Sequence, residues 1–171
     1  CRVDNIDDLE TEIRRVDPTH VISLIGRTHG VIDDKIYSTI DYLEQPLSKN
    51  SFEDMYELTL HTDIPIAADE MVTDIDSLNK VLDYQCADVF ILKPMLIGGI
   101  DRCREMITII TSESKRYNIS SLLESNIGRL SYLHLASAFN TSEESGIATN
   151  IFFNNDICNF PTPVNGIIKL D

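Results

Sequence analysis

From residue 19 onward, short β-branched segments alternate with amphipathic segments of helical period, and no tight hairpin signal joins one strand to the next. This alternation constrains the fold more than any other feature. Two neighbouring strands separated by a helix pair in parallel, because the crossover returns the chain to the end it started from. Strands are expected at 19–25, 41–46, 64–69, 88–94, 119–123 and 148–153. Helical spacing is clear at Ile6, Leu9, Ile13 and Val16, before Asp17–Pro18, and again over 51–61, 74–85, 100–110 and 128–139. A shorter helical stretch runs toward Ile40. The spacing is regular: Glu44 to Asp69 is 25 residues and Asp69 to Lys93 is 24. Eight units of this size would make a (β/α)8 barrel of about the usual size, roughly 200 residues. An open doubly wound sheet would bring a glycine-rich phosphate turn, which "IGGI" is too short to provide. The expectation is an α/β fold, a partial TIM-type barrel of parallel strands with crossover helices, forming one domain over 1–171 with about six βα units.

Three consecutive expected strands end on Glu44, Asp69 and Lys93. In a parallel barrel all strand C-termini share one rim, where active sites sit. Side chains alternate in and out, so one residue per strand end can aim at the axis. Glu70 then falls on the other side of the pleat and supports Asp69 from behind. Two carboxylates with a third oxygen ligand suit Mg²⁺. Taken singly, each charge is an ordinary surface or capping residue. Three at matching strand ends read as a site, with Lys93 able to exchange protons.

The rest of the composition narrows the partners. Twenty-eight acidic and 14 basic residues leave a net charge of −14, which argues against nucleic acid. No apolar run reaches membrane-spanning length. Cys1, Cys86, Cys103 and Cys158 form no CxxC pair, so reduced thiols in a cytoplasm are expected. His20, His29, His61 and His134 show no metal-ligand spacing; His29 alone, in a glycine-flanked loop, could serve as a ligand or base.

In order along the chain, "YLEQPL", "PIAADE", "ILKPMLIGGI", "LLESNIG" and "GIATNIFFNNDI" resemble the enolase superfamily, and "LKP…IGG" with "LESNIG" resembles o-succinylbenzoate synthase. The resemblance covers about residues 41–171. It implies a (β/α)7β barrel with a separate capping domain; none is expected within 1–171, so the resemblance leaves either a truncated piece of a longer enzyme or a homologue with a damaged site. It implies Mg²⁺ held by acids on three successive strands, Glu44 and Asp69 matching the second and third. Lys93 matches a lysine that faces the enediolate intermediate. Ser121 and Ser125 fall in a segment that helps hold the substrate. The implied reaction is a syn dehydration in menaquinone synthesis on a small carboxylate. Related activities are dipeptide epimerase and N-acylamino acid racemase. A non-catalytic homologue is a third possibility, because the front of the chain departs from the pattern. There "RVDPT" offers Asp17 as first ligand, whereas a strand-based alignment puts Ile25 or Gly26 at that position. The family's "KxK" base meets only "CRV", where Arg2 is too basic to serve. A barrel lacking units exposes sheet edges, so homo-oligomers are expected.

Overall fold

A computed structural model describes residues 21–22, 29–30, 40–139, 144–149, 155–164 and 166–168. Its centre is a four-stranded sheet in the order β3-β4-β5-β6, parallel throughout. The strands are β3 (Leu43–Glu44), β4 (Ile66–Ala68), β5 (Val89–Leu92) and β6 (Arg116–Ile119). Helices α1 (Phe52–His61), α2 (Ile75–Tyr84) and α4 (Ile100–Ser112) make the crossovers, and α5 (Asn126–Ala138) follows β6. A four-residue helix, α3 (Pro94–Ile97), opens the last crossover. Proline ends β5, as expected, but it also starts α3. Its fixed φ suits a first helical position, where no amide hydrogen is needed. No helix among the described residues is long and apolar enough to cross a membrane.

Alternation along the strands divides the core into two layers. Leu43, Ile66, Ala68, Phe90, Leu92 and Ile119 face the helices, where they meet Met55, Leu78, Val81, Cys103, Met106 and Ile110. Tyr42, Ala67, Val89 and Ile91 form a separate cluster on the opposite face. A sheet buried on both faces explains why β4 and β5 read as unbroken apolar runs. Cys86 and Cys103 are free and buried, and burial pushes their thiols up to about 11 and about 12. Both behave as small apolar side chains rather than as nucleophiles.

Three expectations need correction. The front strand reduces, where described, to β1 (Val21–Ile22), paired antiparallel with β2 (His29–Gly30). Only residues 23–28 lie between them, too few for a crossover helix, so the parallel series does not extend through this pair. The strand expected at 119–123 instead spans Arg116–Ile119. Apolar content pointed to "ISSLL", yet the ladder takes polar residues. Arg116 is satisfied by a two-pronged ion pair with Asp41, and Asn118 by the backbone carbonyl of Glu144. Finally, β3 stops at Glu44, because Gln45 turns left-handed (φ 40°) ahead of Pro46. The strand expected at 148–153 lies mostly outside the described residues. Its neighbourhood is marked by a parallel bridge between Ser120 and Gly146.

Helix α2 begins just past the end of β4, and its start is well built. The Asp74 carboxylate accepts the Ser77 amide at 2.7 Å, and Ser77 Oγ accepts the Asp74 amide at 2.9 Å. This reciprocal cap satisfies two amides that the helix leaves unpaired. Asp74→Ala should therefore lower stability by about 1 kcal/mol in urea unfolding, with the slope unchanged.

Candidate functional site

The two-residue period of the strands places the charged ends. Ala67 faces the inner cluster, so Asp69, two residues on, shares its side. Val89 and Ile91 face it too, and Lys93 continues their line. Tyr42 does the same for Glu44. The three charges thus crown one apolar layer at one end of the sheet. Lys93 is held further by its own carbonyl, which accepts the Leu96 and Ile97 amides at 2.8 and 3.1 Å.

The charges interact directly. The Lys93 ammonium donates to Asp69 Oδ2 in a short ion pair. Asp69 is only 3% exposed, and its other oxygen, Oδ1, is buried with no hydrogen-bond partner. Burial pushes Glu44 up to about 7, and the negative charge of Asp69 adds to the rise, while the Lys93 ammonium opposes it. Exposed Glu70 acts on Glu44 more weakly, through its charge. Two neighbouring carboxylates therefore share one ammonium, which pairs with Asp69 and acts on Glu44 through its charge. This is a site short of positive charge.

Oxygen donors of this kind fit a hard divalent cation. The orphaned Asp69 Oδ1 would gain a partner, and the burial and repulsion that keep a proton on Glu44 would be offset by the ion's charge. Glu44 and Asp69 would supply two ligands. No cluster of three or more His, Cys, Asp or Glu is placed to hold a metal among the described residues. Asp17 and the 25–26 alternative lie outside them, as does Arg2.

Gln45 was not singled out by motif spacing, yet it joins β3 to β4 at the site. Its Oε1 accepts the Asp69 amide at 2.9 Å and the Met71 amide at 3.3 Å. Ser120 was missed as well. Because β6 ends at Ile119 and pairs Leu92 with Ile119, Ser120 rather than Ser121 continues the face of Lys93. Ser121 is buried and bonds Gly146 O at 3.2 Å and Thr149 Oγ1 at 3.1 Å. Ser125 is exposed, precedes α5 without capping it, and lines an open depression with Asn155, Asp156 and Ile157. Neither serine hydrogen-bonds to Glu44, Asp69 or Lys93. The "LLESNIG" segment has a structural logic of its own. Glu124 accepts the Leu122 amide at 3.0 Å, and a Cβ on Gly128 would stand 3.2 Å from Glu124 Cβ. Behind it the buried Arg129 guanidinium stacks on Phe160 at 4.2 Å.

Residues 34–170 match the model of the enolase C-terminal domain-like family. The chain is 30% identical over 132 residues to o-succinylbenzoate synthase of Mycobacterium bovis, covering 77% of this chain and 39% of that protein. It is 29% identical over 108 residues to L-amino acid-D/L-Glu epimerase of Sulfurimonas denitrificans, covering 63% and 32%. The fold is similar to that of a dipeptide epimerase from Cytophaga hutchinsonii solved with Mg and the dipeptide D-Ala-L-Val. The TM-score is 0.64 and the identity 24%, over 68% of this chain and 32% of that one. The chain thus spans between 32% and 39% of the length of these two curated relatives.

The protonation of Glu44 has a measurable consequence in metal-free protein. Its folded value of about 7 lies above the ordinary 4.5, so the folded state binds more protons than the unfolded state between these values. Glu44 therefore favours folding below pH about 4.5, and that contribution is lost as pH rises through about 7. The urea midpoint of the wild type should fall across this window relative to Glu44→Gln, which lacks the titration. Parallel profiles for the two proteins would contradict the burial of Glu44 against Asp69.

Proposed function

The chain belongs to the enolase C-terminal domain-like family, and from that premise we propose that it provides the barrel chemistry of an o-succinylbenzoate synthase-type dehydratase. In this reading the enzyme is a Mg²⁺-dependent lyase that removes a proton from the carbon next to a carboxylate of a small molecule. The observation behind it is the buried Lys93–Asp69 pair beside Glu44 on one rim. The ordered motifs from "YLEQPL" to "LLESNIG" support the synthase assignment within the family.

Glu44 and Asp69 would hold Mg²⁺, with Asp17 the candidate third ligand. Bound there, the ion would supply positive charge to a substrate carboxylate. Lys93 has only 14% of its side chain exposed and is oriented by Asp69. Its ammonium faces the negative charge that grows on the substrate as the α-proton leaves. Little water screens it, so the attraction is stronger than it would be at a surface. Ser121 and Ser125 retain the proposed role of holding the substrate near β6 and α5. A reducing, cytoplasmic setting and a homo-oligomer belong to the same reading.

The match to an epimerase favours a second reading, in which the same rim removes and returns an α-proton without dehydration. The two differ in product. A synthase consumes the diene chromophore of its substrate, whereas an epimerase exchanges the α-proton of a dipeptide with solvent deuterium.

In the full-length protein with Mg²⁺, Lys93→Ala should lower kcat for diene loss by about a hundred- to a thousandfold, the usual effect of deleting a preorganised charge. Lys93→Arg should not restore it, because a planar guanidinium cannot take the place of a compact ammonium. Without metal, Lys93→Ala leaves buried Asp69 uncompensated and should cost about 3–5 kcal/mol of stability, so rates are taken per folded molecule. An active wild type whose Lys93→Ala variant keeps its kcat would remove Lys93 from the chemistry. Deuterium exchange without diene loss would select the epimerase.

A further inference from the structure

We infer that Gln45 is a positioning residue that sets the separation of the Glu44 and Asp69 carboxylates, and through it the affinity of the site for a divalent cation. This rests on the metal reading given under Proposed function. In the parallel ladder, the Leu43 amide donates to Pro65 O and the Gln45 amide to Ala67 O, each at 2.8 Å. The next rung would run from the Asp69 amide to the backbone carbonyl of Gln45. It does not form in that way. The side-chain oxygen of Gln45 takes the Asp69 amide, and then the Met71 amide as well. An amide oxygen has two lone pairs, and here both are used. The amide's other end is fixed too, because Nε2 donates to Leu47 O at 3.1 Å.

The backbone explains why the side chain is needed. Gln45 is one of three non-glycine residues with positive φ among the described residues, at 40°. This region is unfavourable for a residue with a Cβ, asparagine and aspartate being the best tolerated. A turn alone would be better served by glycine or asparagine. Glutamine is distinguished by reach: its oxygen spans to the neighbouring strand and replaces the backbone acceptor that the turn has removed. The two ends it joins are those of Glu44, its covalent neighbour, and Asp69, whose amide it binds. Without it, β4 would leave the sheet with two amides unpaired, and Asp69 would move independently of Glu44. A cation held by both carboxylates depends on that spacing.

Substitutions separate this role from mere stability. Asparagine accepts left-handed backbone more readily but is one methylene too short to reach both amides. Glutamate keeps the reach and the acceptor for both amides and gives up only the Nε2 bond to Leu47 O. The tests are calorimetric titration with Mg²⁺ alone, hydrogen exchange at the Asp69 and Met71 amides, and thermal melting, all on the full chain. Gln45→Asn should melt below the wild-type temperature, because the eased backbone does not offset two unpaired amides of buried residues, and should exchange both amides at least tenfold faster and bind Mg²⁺ at least tenfold more weakly. Gln45→Glu should retain slow exchange and bind Mg²⁺ as tightly as the wild type or more so. Faster exchange in Gln45→Asn with unchanged Mg²⁺ affinity would overturn the positioning role and leave the metal site standing. Equal loss of affinity in Gln45→Glu would overturn it as well, even if Gln45→Asn failed to fold. A wild type with protected amides and no Mg²⁺ binding would remove the metal reading, and this role with it.

Discussion

The ion pair between Lys93 and Asp69 is the contact on which the rim depends. Both groups lie at the ends of strands buried on two faces, and neither has enough water around it to stand alone. Removing a carboxylate and an ammonium from water costs several kcal/mol each, and only a close, well-aligned partner offsets that. The pair thus ties the end of β4 to the end of β5 across neighbouring strands. It also leaves an imbalance. One ammonium serves two carboxylates, and burial beside the charge of Asp69 keeps a proton on Glu44 toward neutrality. A rim built this way carries more negative than positive charge, the imbalance that the proposed cation would offset.

What delivers the charges to one place is backbone geometry. The inner cluster of Tyr42, Ala67, Val89 and Ile91 fixes which face each strand turns inward, and a shift of one residue in any strand would exchange its faces. Glu44, Asp69 and Lys93 inherit their positions from that apolar layer. Gln45 and α3 then finish the rim: Gln45 by standing in for a missing ladder acceptor, α3 by clasping the carbonyl of Lys93. The outer layer, packed on α1, α2 and α4, makes these strands rigid enough to keep such spacings.

How much of this was legible in the sequence depended on what kind of interaction decided each element. Apolar strands bounded by proline, such as the one ending at Lys93, and helices with a clean stripe, such as α4, were legible because burial alone determines them. The convergence of Glu44, Asp69 and Lys93 followed from the strand period for the same reason. β6 was placed too late because its inner residues are polar. They are satisfied by tertiary partners, Asp41 and the carbonyl of Glu144, that no local window contains. Gln45 escaped notice because its role rests on a left-handed backbone and on a strand 24 residues away in sequence. Antiparallel pairing of β1 with β2 was hidden for a related reason: β-branched residues signal a strand but not its partner.

The most direct test of the account is an anomalous difference map from crystals grown with Mn²⁺, an oxygen-preferring stand-in for Mg²⁺. The account predicts one strong peak within coordination distance of Asp69 Oδ1 and a Glu44 oxygen, with Lys93 still paired to Asp69 Oδ2. A map with no peak between the two carboxylates, at Mn²⁺ concentrations that saturate a related enzyme in the same crystals' buffer, would contradict it.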